Sequence, residues 1–422
     1  MSPSTELGSL RVDGDRLWAS LMAVARIGGT AGGGSNRLTL TDFDRQARDL
    51  LAKWCRNAGA DMRVDAIGNM IARRGGTDAD LPAVMVGSHL DTQPMGGRFD
   101  GVLGVLAALE ILRTLDDAGL ATSRSVELVN WTNEEGARFA PAMIGSGVYA
   151  GIQGLAPALN RLDGNELRLG DELNRIGYSG AEPVPGRSPF AYFELHIEQG
   201  PLLEAEGVSI GVVTHAQGVR WLDVVVDGVA GHAGTTPMGR RRDALVGAAR
   251  AIEAIAKVAT DFGPASVATV GQLQVDPGSR NVIPGRVRFS VDARHPDSSR
   301  LASLVDAIEN AVRAGCAEAQ VDVGIADVLS FAPTSFDESC VAAVRAAADN
   351  CGLSHRDIVS GGGHDACNIA RIAPATMVFC PCVDGISHAE AEDIRPEWAE
   401  AGANVLLQAV LAKATDDGRT AP

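Results

Sequence analysis

AVMVGSHLDTQPMGGRFDGVLGVLAALEILRTL, residues 83–115, runs on to VELVNWTNEEGARF, residues 126–139. Ala83–His89 is an apolar run with strand character, Gly101–Leu115 carries helical spacing, and Val126–Trp131 reads as a strand again. A strand, helix, strand order of this kind predicts an α/β layer built on a mostly parallel mixed sheet flanked by helices. Each apolar strand also ends on polar residues, His89 with Asp91 in one case and Glu134 with Glu135 in the other. Open α/β sheets bind ligands at the carboxyl ends of their strands.

Working outward, Thr41 with Asp44 three residues later has capping-box spacing, and Leu50, Leu51 and Trp54 follow before Gly59 closes that helix. Beyond Gly211 the texture changes. Strand-like Trp221–Val229, helical Asp243–Ala259, strands near 265–275 and 287–293, a helix over 299–314 and a run near Val321 give a β-α-β-β-α order. That order suits an inserted α+β, ferredoxin-like domain. The expected boundaries are a catalytic domain over 1–212 and 331–422, interrupted by a lid or dimerisation domain over 213–330.

The chain has 422 residues, 45% hydrophobic and 21% charged, enough apolar material for a large packed core. With 37 basic against 53 acidic residues the net charge is -16, which opposes a nucleic-acid or anionic-membrane partner. The longest apolar run, Val102–Leu109, is broken by Glu110 and falls short of the roughly 18 residues of a membrane span. The first twenty residues lack a secretory pattern, so a cytoplasmic location is expected. Seven scattered cysteines argue against a disulfide framework, and strand alternation accounts for Cys380 and Cys382 without a metal.

The chemistry collects around histidines. His89 and Asp91 lie two apart at a strand end, where the carboxylate can orient the imidazole. Asp100, in GGRFDG, can cap the following helix or bridge two cations. Glu134 and Glu135 point different ways after a strand, so one can ligate a metal while the other serves as a general base. His196, in ELHIEQGP, and His388, in DGISHAEAED, occupy comparable strand-end positions. Histidine, aspartate and glutamate without cysteine form a ligand set for a hydrolytic site holding zinc, manganese, cobalt or nickel. His215 and His295 read as loop and turn residues, His355 as part of a polar connection, and the glycine-rich stretch 31–36 as a flexible loop.

Together GSHLDTQPMGGRFDG, NWTNEEGARF, ELHIEQGP, GHAGTTPM, RNVIPG, GGGHDA and DGISHAEAED resemble the hydantoinase/carbamoylase amidases, relatives of the dinuclear aminoacylase and carboxypeptidase metallohydrolases. The resemblance covers about Arg16 to Trp398. It implies two divalent metal ions per chain, bridged by Asp100 and completed by His89, Glu135, His196 and His388. Glu134 matches the general base and Asp91 its partner, while Gln199, His232, Asn281, Arg294, Gly363 and His364 match substrate-binding positions. His232 would stabilise the developing oxyanion and the fork of Arg294 would bind the carboxylate of a small anionic ureido acid. The implied protein is a homodimer joined through the inserted domain. Its implied reaction is hydrolysis of the carbamoyl C–N bond of an N-carbamoyl amino acid, L-α or β-alanine type, to the free amino acid, carbon dioxide and ammonia. Allantoate amidohydrolase is the alternative; an aminoacylase or dipeptidase, or a catalytically silent binding protein of the same fold, is more remote.

Overall fold

A computed structural model describes residues 8–417. The chain divides into two compact units at Thr214/His215 and again at Ser335/Phe336, so the larger unit draws on both ends of the sequence.

The larger sheet contains β1 (Asp61–Val64), β2 (Met70–Arg74), β3 (Val84–His89), β4 (Val126–Trp131), β5 (Ala191–Ile197), β6 (Ile210–Ala216), β14 (Thr334–Ser335), β15 (His355–Ser360) and β16 (Ala375–Cys380). They lie in the order β1-β2-β4-β3-β5-β16-β6-β14, with β15 alongside β6. The centre is parallel, β4 with β3, β3 with β5 and β5 with β16. Both flanks are antiparallel, β1 with β2, β2 with β4, β16 with β6 and β6 with β14. The mostly parallel expectation therefore holds only for the middle of the sheet. The β1–β2 link is a turn over residues 65–69, tied by Asp65 to the amides of Ile67 and Asn69 and too short for a crossover helix.

Strands β3, β5 and β16 are buried along their whole length, as in a sheet covered on both faces. The helix Val102–Asp117 packs closely because Gly104 has no side chain: a Cβ there would meet Leu195 O at 2.4 Å and Ser88 Cβ at 2.8 Å. Helix Pro396–Ala414 uses Gly402 similarly against Leu195. Both helices thus bear on β5, the strand that carries His196.

The smaller unit holds β7 (Gly218–Asp227), β8 (Gly231–His232), β9 (Val267–Thr269), β10 (Leu273–Asp276), β11 (Val282–Ile283), β12 (Arg286–His295) and β13 (Asp322–Phe331). Its main sheet runs β10-β12-β7-β13, with β9 beside β12, and every pairing is antiparallel. Alternate residues Leu222, Val224 and Val226 of β7 and Val287, Phe289 and Val291 of β12 enter one core. Helices Ala244–Asp261 and Ser298–Glu318 close that core with Ala248, Ile255, Leu304 and Ile308, giving the β-α-β-β-α-β arrangement of a ferredoxin-like unit.

His215 lies within β6 opposite Ser335 rather than in an exposed loop. His295 is buried at the end of β12, where it accepts the Asp297 amide, and His355 begins β15 and pairs with Asp349. The glycine-rich stretch 31–36 is a tied turn, not a free loop. The Ser35 amide donates to Gly96 O, and Thr30 Oγ1 donates to Glu390.

Candidate metal centre

β3 ends on His89, and the loop after it returns Asp100 to the same end of the sheet. The Nδ1 of His89 lies 2.9 Å from the Asp91 carbonyl, and the Nδ1 of His196 lies 2.9 Å from the Ile197 carbonyl. A carbonyl accepts only, so each Nδ1 carries the proton and each Nε2 turns its lone pair toward the centre, where that of His196 also lies 3.3 Å from the Gly101 amide. The Nε2 atoms of His89 and His196 lie 3.4 and 3.1 Å from Asp100 Oδ1. On the other side, His388 Nε2 lies 3.4 Å from Asp100 Oδ2 and 3.6 Å from Glu135 Oε2. Asp100 is thus shared by two three-residue groups, His89–Asp100–His196 and Asp100–Glu135–His388, each with its ligand atoms within 4.8 Å of one another.

Asp91 behaves differently from the sequence expectation. Its carboxylate is 3.9 Å from His89 Nδ1; the backbone carbonyl orients the ring instead. β3 ends at His89, the chain bends, and the Asp91 oxygens accept from the amides of Glu134 and Glu135 at 3.3 Å each. Asp91 therefore fixes the acid pair. Glu134 Oε2 reaches 3.5 Å from His89 Nε2 and is buried, whereas Glu135 is gripped by Gln93, whose amide and Nε2 donate to its two oxygens at 3.0 and 2.8 Å.

The charges are crowded. Burial pushes the carboxyls of Glu134 and Glu135 up, and neighbouring acids push further; Glu135 reaches about 7. Burial alone would raise Asp100 and depress His89, but the facing imidazoles hold Asp100 well below, and Glu134, Asp100 and Asp91 hold His89 well above, their ordinary values. His388, hydrogen-bonded to Asp100, rises to about 9. Three imidazoles with aimed nitrogens, no thiolate and an excess of buried carboxylate suit divalent cations, which take the place of these protons.

Of the other expected residues, Gln199 has a left-handed backbone, φ 56°, and its Nε2 donates to Asp100 Oδ2 at 2.6 Å. His364 is buried with its ring centroid 4.5 Å from that of His196, its Nε2 3.0 Å from Ser360 Oγ, and burial holds its pKa well below the usual histidine range. Gly363 is an exposed position beside Met143. At Gly362 a Cβ would lie 3.5 Å from Gln199 Oε1 and from His364 Nε2, so alanine fits there.

His232, Asn281 and Arg294 belong to the smaller unit. His232 on β8 and Asn281 next to β11 are adjacent, with the Ala233 amide donating to Asn281 O. His232 Nδ1 accepts the Gly234 amide at 3.0 Å, which places its neutral-state proton on Nε2. Arg294 is half-buried and already paired with Asp292 through Nε and an Nη at 2.9 and 2.8 Å.

Sequence reasoning missed Gln93, Ser387 and Glu392. DTQP and AEAED carry no spacing rule that separates such residues from surface polar groups. Their roles come from loops that meet only in three dimensions.

The fold and these residues define a hydrolase of the metal-ligating α/β type. Residues 85–412 match Peptidase family M20/M25/M40, and the chain belongs to that family. Within it, the chain is a member of the hydantoinase/carbamoylase amidases. It is 54% identical to an amidase of that family from Burkholderia multivorans, with a TM-score of 0.94 over 96% of this chain and 99% of that one. It is also 52% identical to an N-carbamoyl-L-amino-acid amidohydrolase of Rhizobium meliloti over 95% of this chain and 96% of the relative. A second enzyme of that name, from Geobacillus stearothermophilus, is 39% identical over 94% and 98%.

Proposed function

We propose that the protein hydrolyses the carbamoyl C–N bond of N-carbamoyl-L-amino acids, using two divalent cations that share Asp100. The observation that carries this reading is the position of Asp100, with one oxygen facing His89 and His196 and the other facing His388. Family membership and the two similar amidohydrolases support the substrate class. Bound cations would polarise the ureido carbonyl and acidify the attacking water.

The protein's own residues do the rest. Glu134, raised by burial and neighbouring acids, takes the proton from the attacking water and returns it to the leaving nitrogen. Asp91 holds the Glu134 amide so that its carboxylate stays beside His89. The family resemblance assigns His232 to the developing oxyanion and Asn281 and Arg294 to the polar end of the substrate, all three on the smaller unit. Collapse of the tetrahedral adduct breaks the C–N bond to the amino acid; the released carbamate decomposes to carbon dioxide and ammonia.

We also propose a homodimer through the smaller unit. Among the described residues strand β13 pairs only with β7, and it exposes Val328 and Phe331. Sedimentation should give twice the chain mass; a monomer at micromolar concentration would count against it.

The activity test is ammonia release over a panel of N-carbamoyl-L-amino acids, β-ureidopropionate, allantoate and N-acetyl amino acids. Turnover of the carbamoyl amino acids above the rest is expected. Exclusive turnover of acyl substrates or allantoate would replace this reading.

A further inference from the structure

Glu392 follows His388 by four residues and lies buried against the loop that carries Asp100. Its Oε1 accepts the amides of Phe99 and Asp100 at 2.9 and 3.0 Å, across 293 and 292 positions of sequence. Its Oε2 lies 3.1 Å from Ser387 Oγ, which is itself 3.0 Å from Asp100 Oδ2. One carboxylate therefore spans two loops, one delivering the shared aspartate and the other delivering His388. Its seat is made by Gly97: a Cβ there would fall 1.9 Å from Glu392 Cδ. Arg98 and Asp393 pair beside it at 2.9 Å, repeating the link between the same loops.

Burying an acid beside an already acidic centre is costly, and the two amides and the Ser387 hydroxyl that Glu392 accepts offset that cost. The two amides it accepts belong to Asp100 and the residue before it, so they set the direction from which Asp100 enters. We propose that Glu392 is a positioning residue that locks the Asp100 and His388 loops in one frame, so that Asp100 can face both cations at once. This rests on the two-cation reading given above.

The test titrates metal-free protein with Co²⁺ alone, followed by visible absorbance, with amide hydrogen exchange of the metal-free protein as a readout that needs no cation. Glu392→Ala should lower cobalt affinity about 10–100-fold, the usual cost of removing a partner that orients a ligand. Protection of the Phe99 and Asp100 amides should fall with it. Glu392→Gln keeps one oxygen for both amides, and should retain that protection and bind cobalt within about threefold of the unaltered protein.

Gly97→Ala displaces Glu392 without removing it and should resemble Glu392→Ala. The double variant should be no worse than Glu392→Ala alone, because the added methyl group then has room. If Glu392→Ala does not fold, the Glu392→Gln and Gly97→Ala pair decides. Two cobalt ions bound by Glu392→Ala at unaltered affinity would overturn the proposal, as would Glu392→Gln damaged as severely as alanine. Two ions bound with no turnover of ureido acids would overturn the substrate reading and leave this one standing. No cobalt bound by the unaltered protein would overturn both.

Discussion

Asp91 and Glu134 divide their work through the backbone. Because both oxygens of Asp91 accept amides, Asp91→Asn would set an NH₂ group against an N–H and disturb the pair it holds. Turnover in that variant should fall about 10–100-fold with little change in substrate KM, checked by steady-state kinetics on one carbamoyl amino acid. Glu134→Gln removes the proton acceptor and should lower kcat by about 100-fold or more while metal content stays near that of the unaltered protein. Arg294→Lys keeps the charge but loses the two-pronged grip on Asp292, and on the proposed substrate role should raise KM more than it lowers kcat. At this scale the residue types were legible, since His89, Asp100, Glu134, Glu135, His196 and His388 all follow apolar strands or a glycine turn. The direction of Asp91 was not. Period-two reasoning holds only while the strand continues, and β3 stops at His89.

At the scale of elements, strands and glycines set the precision of the centre. Gly101 has φ 65°, and a Cβ there would come within 2.3 Å of the His89 ring. Gly101→Ala should cost about 1–3 kcal/mol through the left-handed backbone alone, seen as a lowered unfolding midpoint in denaturant. It should also weaken cation binding, because His89 must move. β3 was readable because a fully buried strand appears as a near-continuous apolar run, as in AVMVGSH, and β4 because Val126, Leu128 and Val129 flank the half-buried Glu127 in VELVNW. The antiparallel flanks were hidden because β1 and β2 are short and partly polar, and strand direction depends on the connection rather than on the residues. The region near 265–275 divides into β9 and β10, which are only half-buried or exposed and so leave a weak apolar pattern.

For the whole molecule, the acid excess around Asp100 governs stability against pH. In metal-free protein Glu135 and Glu392 rise from 4.5 to about 7, and His388 rises from 6.5 to about 9. All three hold their protons more tightly when folded, so stability declines as pH rises from about 4.5 through 9. The unfolding temperature of chelated protein should therefore be higher at pH 6 than at pH 9, and added Co²⁺ should flatten or reverse that slope. An equal or higher value at pH 9 without metal would show that these groups do not control stability. The same crowding explains part of the net charge of -16, and two divalent cations would bring it to -16 plus 4, or -12. The centre also has a history in time. His89 and His388 are 388 minus 89, or 299, residues apart, and the smaller unit is synthesised between them. A nascent chain that has made β3, β4 and β5 already holds the His89–Asp100–His196 group, and the Asp100–Glu135 group gains its third member only when His388, beyond β16, has been made.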